Sequence, residues 1–591
     1  MLVEHLLVSR SAAPPLRVAL FLDGSSLARP DAIILEHLRR SRFVELALVV
    51  RRKLVLRRQQ VSGSRLLRAV TERAFRAHLL FDLYERWDER TWRDSSELLA
   101  RTNVSDQLPE VPVIEVDPVV DCDTERFPDD VLARVRGAQI DVAIRFGFDR
   151  LRGEVLRIPR HGVWFIRPSD PEEYIGEPPH FWELAERNPR SGVALEIAVN
   201  DGEPRQVLCR GVASTETDRW GGASIVRNRV RPSLLGSTFV IRKLKELHES
   251  GLASMERNAA PRLSYRGKRA VYTRPTNAEM VGFLAPRLLL AARQHFLKRP
   301  NINRWRVAVR AEGRSASGPG PLEADGFRWI EPPPGHSYAD PFLIAHRGQV
   351  YCFFEDLDHG SNKARIACAV VAPDGRFQEI RPVLEAPCHL SYPFVFEDGG
   401  DVFMIPESSQ LGRVDLFRAV EFPSRWEKVR ALLEIPGLDA TLWHDGSGPY
   451  WFFVTVREPE HAGEQLLLFQ ASSLDGDLVL HPKNPVSSDV RYGRGAGRII
   501  TREGRAYRPS QDCSVGYGHQ MHFHEIQALT PEDYEERLVG VLAPWGGLDG
   551  IHTYDRCGNF EVIDGKHIEA VPGHPFTPLP WTPGAKSGGV G

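Results

Sequence analysis

The sequence predicts an α/β domain followed by an all-β five-bladed β-propeller. Three observations lead there. From about residue 16 to 210, strand-like and helix-like segments alternate, the pattern of a mostly parallel sheet. From about residue 326 the helical rhythm gives way to short strands rich in Phe, Tyr, Val and Trp, separated by Gly turns. In that second half Gly348, Gly399, Gly446, Gly504 and Gly558 recur 47 to 58 residues apart, the period of a four-stranded propeller blade.

Composition narrows the field. The chain has 591 residues, 42% apolar and 26% charged, an ordinary globular make-up with room for several domains. A net charge of -2 excludes nucleic-acid binding through a whole-molecule basic field. Seven scattered cysteines without a C-x-x-C pair argue against a zinc knuckle or a disulfide framework, and fit reduced thiols. Glu4, His5 and Arg10 interrupt the N-terminal apolar run, so a secretory segment is not expected. No apolar stretch approaches the ~20 residues of a membrane span. A cytoplasmic protein is the expectation, with a flexible tail over 576–591.

In the first half, residues 17–23 (RVALFLD) and 45–50 (ELALVV) are continuous apolar runs, as in strands buried on both faces. Residues 30–40 and 73–87 carry helical spacing, and 111–116 and 140–144 are further short strands. The first turn, Asp23-Gly24-Ser25-Ser26, lacks the Gly-x-Gly-x-x-Gly of a dinucleotide site. Residues 216–325 read as a helical connector ending in a Gly/Ser/Pro-rich loop at 311–325; the helical pattern of 276–297, around Pro286, is expected to pack on a neighbouring domain. Domain limits are therefore 1–215, 216–325, 326–575 and the tail.

The β half repeats one unit: a polar entry, a short strand, a Gly turn and an aromatic-rich strand. The entries are Asp340-Pro-Phe-Leu-Ile, Ser391-Tyr-Pro-Phe-Val-Phe, Asp439-Ala-Thr-Leu-Trp, Gly497-Arg-Ile-Ile-Thr and Ile551-His-Thr-Tyr-Asp. In a propeller the first strand of each blade is innermost and the hairpin returns to the same face. The starts of first strands (Asp340, Tyr392, Asp439, Arg498, His552) and the ends of second strands (Glu355, Glu407, Thr455, Asp512) are then expected to meet in one funnel. An irregular β-sandwich with Gly turns is the competing architecture.

Paired carboxylates on a concave surface suit glycosyl chemistry, one as acid and one as base or nucleophile around an oxocarbenium-like transition state. The leading set is Asp340 as base or nucleophile, Glu407 as general acid and Asp439 as orienting, pKa-setting group. Glu355, Tyr392, Arg498, Arg508, Asp512 and His552 are candidate substrate contacts; the arginines and His552 suit a phosphate, a carboxylate or sugar hydroxyls. The structural alternative is that Asp340 and Asp439 cap turns or bridge blades.

The run HSYADPFLI…YCFFED…LSYPFVFE…MIPES…DATLW…AGRII…YRPSQDCS, within about 326–570, resembles the domain related to the N-terminal region of plant glucosamine inositolphosphorylceramide transferase. It is more remotely similar to five-bladed arabinanase-, levanase- and mannoside-phosphorylase-type propellers. Those families imply an axial site with a first-blade Asp, falling on Asp340, and chemistry ranging over hydrolysis, phosphorolysis and transfer. They also place a His near an axial cation, for which His552 is the candidate.

Residues 146–197 resemble folate-dependent formyltransferases, a Rossmann-like α/β family acting on methionyl-tRNA or amino sugars. Gly162, Pro168-Ser169, Gly176 and Ser191-Gly192-Val193 fall in register. The family's Asn-x-His is replaced by Phe165 and Arg167, and the catalytic Asp falls near Glu203 or Asp201 in an altered context. Phe165 supplies no proton shuttle and Arg167 is a poor base at neutral pH. Folate-dependent formylation is not expected; Arg167 and Ser169 remain candidates for a bound anion.

Other signals are double-edged. His519, His522 and His524 suit a metal or a polar blade rim. Trp426, Trp443 and Trp451 suit a stacked sugar or an interblade core. The basic run 51–58 suits a solvated strand end or an anionic lipid. Together these residues predict glycosyl transfer in cell-surface glycan or glycolipid synthesis, on a sugar or glycolipid substrate, with no cofactor named. The alternatives are a degenerate sugar-amine formyltransferase-like protein, a non-catalytic glycan-binding scaffold and a glycoside hydrolase.

Overall fold

The computed structural model describes residues 2–53, 77–108, 110–121, 124–201, 206–216, 224–257, 264–296, 301–311, 326–457 and 464–570. Glu203, residues 54–58 of the basic run, most of the 311–325 loop and the tail lie outside these. The chain divides into two compact units, Met1–Phe296 and Leu297–Gly591.

The first unit is built on a seven-stranded sheet, in the order Gln206–Ser214, Arg190–Ile197, Val163–Arg167, Val142–Phe146, Leu16–Leu22, Val44–Arg52, Val113–Val116. The last five run parallel and the first two form an antiparallel edge. The central parallel strands Leu16–Leu22 and Val142–Phe146 are buried on both faces, which is why Leu16–Leu22 reads as one apolar run. Helix Arg29–Arg40 buries Ile34, Leu35 and Leu38, and Asp129–Gly137 buries Val131, Leu132 and Val135. Of the basic run, Arg51 pairs with Glu115, and Arg52 with Asp23 and Glu125.

The helices that follow belong to this unit. Ile225–Gly236, capped by the Ser224 side chain, packs on the antiparallel edge; Gly211 leaves room there, since a Cβ on it would stand 2.7 Å from Leu235. Helix Asn277–Phe296 opens with a reciprocal cap, Thr276 bonding Glu279 both ways, and packs on helix Leu79–Thr91. The segment read as a connector to a neighbour is thus packed within the first unit.

The second unit is a five-bladed propeller. Three blades are consecutive four-stranded meanders starting at His336–His346, Ser391–Asp398 and Gly437–Trp443. The fourth contains Arg494–Gly495, Arg505–Asp512, Gln520–Leu529 and Tyr534–Leu542, with Ile500–Arg502 also pairing to Arg505–Asp512. The fifth joins Tyr554–Cys557 and Phe560–Ala570 to Asn301–Arg310 and Arg328–Ile330. Its outer strands thus come from the start of the unit, so the two chain ends close the ring. Asn301–Arg310 lies upstream of residue 326, where the sequence reading began the propeller. Five separate sheets exclude the single sandwich.

The tryptophans serve packing. Trp426 donates to the Pro423 carbonyl and meets Phe353 of the first blade, while Trp443 and Trp451 join the cluster with Phe453, Ile499 and Tyr534.

Candidate functional site

Three blades begin with the same backbone device. Asp340, Tyr392 and Asp439 all have positive φ (50°, 44° and 47°), and the ladders to their second strands slip at the same place. In the fourth blade Gly497 holds φ 124°, and a Cβ there would stand 1.9 Å from the Tyr554 carbonyl oxygen. A non-Gly residue in this region costs about 1 kcal/mol or more, and such strain gathers where side chains must be aimed. Here it turns the entry residues inward at a β-bulge.

Two groups of acids form at the axis. In one, Asp340 accepts from the Thr553 hydroxyl at 2.7 Å and the Tyr392 amide at 3.1 Å, and its own amide donates to Asp564 at 3.0 Å. Asp564 lies 2.6 Å from Nδ1 of His552 and accepts the His552 and Thr553 amides at 3.0 Å each. Nε2 of His552 is 3.8 Å from Asp340, and its ring stacks on Trp305 at 3.9 Å. Burial pushes the Asp340 carboxyl up to about 7, against the pull of His552 and with the help of Glu355, Asp564 and Asp439. For His552 burial disfavours the charged ring, but Asp564 and Asp340 outweigh it and raise the pKa.

In the other group, Arg494 donates to Asp439 at 2.7 Å and reaches Glu407 at 3.8 Å. Burial raises the Asp439 carboxyl to about 7; Arg494 opposes this, and Glu407 adds to it both by its charge and as a hydrogen-bond partner. Ser409 donates to Glu407 at 3.0 Å. Asp439 is buried, whereas the Glu407 side chain keeps 13% of its surface open.

Glu355 meets the His389 imidazole at 3.1 Å. Burial disfavours the charged form of that ring, but Glu355, Glu407 and Asp340 outweigh it and raise its pKa. Asp340, Glu355, Glu407, Asp439 and His552 are therefore brought together as the repeat implied.

The other expected contacts make hydrogen bonds within the protein. Tyr392 is wholly buried; its hydroxyl meets Thr441 at 2.8 Å and accepts the Gly497 amide at 2.9 Å. Arg498 bonds Asp555 and the Val395 carbonyl. Arg508 forks onto Glu536 at 2.8 and 2.7 Å inside the fourth blade. Asp512 accepts from the Ser514 amide and Gln520. His522 and His524 lie within the same blade, His524 bonded to Ser510 at 3.0 Å. Among the described residues, the one group compact enough for a metal ion is Asp340, His552 and Asp564, whose donor atoms lie within 4.8 Å.

In the first unit Arg167 forks onto buried Glu196 at 2.6 and 2.9 Å, and Ser169 donates to the Tyr174 carbonyl at 2.9 Å. Phe165 lies under the Arg145 guanidinium at 4.2 Å. At the positions expected to hold an anion, Arg167 is thus already paired with a carboxylate and Ser169 with a backbone carbonyl.

Sequence reasoning missed Asp564, Arg494, His389, Thr553 and Trp305. Asp564 had a signal: it lies six residues past the turn glycine Gly558, close to the seven that separate Glu355 from Gly348.

The fold and site define a five-bladed propeller with a cluster of acids at its axis, in a chain that also carries an α/β unit. Residues 332–543 match the family described as glucosamine inositolphosphorylceramide transferase 1, N-terminal. Proteins named glucosamine inositolphosphorylceramide transferase 1 are 33% identical over 212 residues in Arabidopsis thaliana (34% of this chain, 27% of that protein) and 33% over 214 residues in Oryza sativa subsp. japonica (35% and 28%). The chain spans little more than a quarter of the length of these curated relatives. Among solved structures, similarity extends to a thermostable family-43 glycoside hydrolase (14% identity, TM-score 0.30, 42% of this chain and 96% of that one). It extends also to phosphoribosylglycinamide formyltransferase from Bacillus halodurans (17%, TM-score 0.25, 40% and 97%).

Proposed function

We propose that the propeller carries out glycosyl transfer in the synthesis of a cell-surface glycan or glycolipid, with a lipid-linked inositol phosphate as the favoured acceptor. The observation that carries this reading is the gathering of Asp340, Asp439 and Glu407 from three blades at the axis, with Arg494 reaching both Asp439 and Glu407. The printed name of the plant relatives supports the substrate class.

In this reading the acceptor hydroxyl loses its proton to Asp340 as its oxygen bonds the anomeric carbon. The bond from that carbon to the leaving oxygen breaks, and Glu407 gives the leaving oxygen its proton. Asp340 acting as nucleophile is the two-step variant. Asp439, held by Arg494, sets how tightly Glu407 keeps its proton. The neighbouring acids favour positive charge developing on the sugar ring.

The proposed setting is cytoplasmic. Among the described residues six cysteines stand outside any disulfide, four of them buried, which suits a reducing compartment. Among the described residues no helix is long and apolar enough to cross a membrane, so a lipid acceptor would be met at a surface. Incubation of the full chain with nucleotide sugars and inositolphosphorylceramide micelles, read by mass spectrometry, tests the reading. A glycosylated lipid is expected, and its absence across the donor panel would count against transfer.

A further inference from the structure

One polar group in the cup is unused by the acid–base roles. Tyr517 lies in the loop between Arg505–Asp512 and Gln520–Leu529. Two contacts fix the loop. Gly518, at φ 61°, lets it press onto the fifth blade, where a Cβ would stand 2.8 Å from Trp305 and 3.0 Å from His552. Lys566 donates to the Tyr517 carbonyl at 2.5 Å.

The ring is thereby placed between the two acid groups. The Arg494 guanidinium, partner of Asp439 and Glu407, is 4.9 Å from its centroid. The His552 ring, partner of Asp340 and Asp564, lies at 5.3 Å and 82°, and Trp305 at 6.2 Å. Tyr517 nonetheless keeps 44% of its surface exposed. Among the described residues its hydroxyl has no hydrogen-bond partner, whereas the hydroxyls of Tyr392, Tyr534 and Tyr554 in the same unit are all bonded.

An aromatic face open to solvent and a free O–H beside two acid groups suit a pyranose, which offers an apolar face and a rim of hydroxyls. We propose that Tyr517 is a substrate-contacting residue, its ring covering a hexose unit seated over Asp340 and Asp439 and its hydroxyl bonding one of that sugar's oxygens. The proposal rests on the carbohydrate reading of the cup. A phenol keeps its proton at neutral pH, so the hydroxyl is available as a donor.

Saturation-transfer NMR of the full chain with methyl glucoside and with N-acetylglucosamine is the test. Sugar binding by the wild type is expected, weakened about tenfold in Tyr517→Phe and lost in Tyr517→Ala, with melting temperatures unchanged. Asp340→Asn should still bind. No binding of either sugar by the wild type, or wild-type binding by both Tyr517 variants, overturns the proposal. Binding that depends on Tyr517 while Asp340→Asn keeps full transfer activity would instead leave Tyr517 in place and remove the assigned chemistry.

Discussion

His552 and Asp564 form a 2.6 Å ion pair that ties the segment entering strand Tyr554–Cys557 to strand Phe560–Ala570, and Asp564 also accepts the amide of Asp340 from the first blade. The joint that closes the ring therefore positions Asp340, the carboxylate proposed as base or nucleophile. Its consequence is a pH effect. His552 opposes the burial that lifts Asp340 to about 7. Removing its charge raises the Asp340 pKa further, so in His552→Gln the acid limb of the pH–rate profile moves upward. Transfer should fall below neutrality and recover in base. An unmoved limb would mean that His552 only packs on Trp305.

Asp439 makes a prediction about stability. Its folded-state pKa, about 7, lies above the ordinary 3.8. A carboxyl raised on folding contributes stability that is fully present below pH 3.8 and lost as pH rises through 7. Asp439→Asn removes the titrating group, so its melting temperature relative to the wild type should climb between pH 4 and 7 and level off above. Thermal denaturation across that range checks the slope.

Tyr392 is read as a strut. Its hydroxyl serves Thr441 of the third blade and the Gly497 amide of the fourth. Tyr392→Phe strands both partners in a buried place, at a cost of about 1–3 kcal/mol. Denaturant unfolding should show that loss, with sugar binding unchanged.

The first unit should show no formyl transfer. Arg167 is held by Glu196, which is 2% exposed. Arg167→Leu leaves that carboxylate unpaired and should cost about 3 kcal/mol, part of which Arg167→Leu/Glu196→Leu restores. Titration with a formyl-tetrahydrofolate analogue should give no heat; saturable binding would revive the formyltransferase reading.

The propeller was legible because a blade leaves two marks in sequence, alternation along each strand and a Gly turn at each hairpin. The acids were legible because the strand ends of a propeller converge. What misled was the bulge. A positive φ at the entry residue re-aims side chains, so counting along a strand does not separate Asp340, whose carboxylate meets Thr553 and the Tyr392 amide, from Tyr392, whose ring reaches toward Gly497. Arg494, His389 and Tyr517 lie outside the repeated strand cores, where periodicity says nothing of the path. The closing strand Asn301–Arg310 was hidden by its distance from its partner: it pairs with Phe560–Ala570, more than two hundred residues away.

The most direct measurement is the mass spectrum of inositolphosphorylceramide after incubation with nucleotide sugars, compared between the wild type and Asp340→Asn. If the axial cup transfers sugar, the lipid gains one sugar mass with the wild type, and the variant loses about a thousandfold in rate at an unchanged fold. Equal product from both proteins, or none from the wild type with any donor, would contradict it.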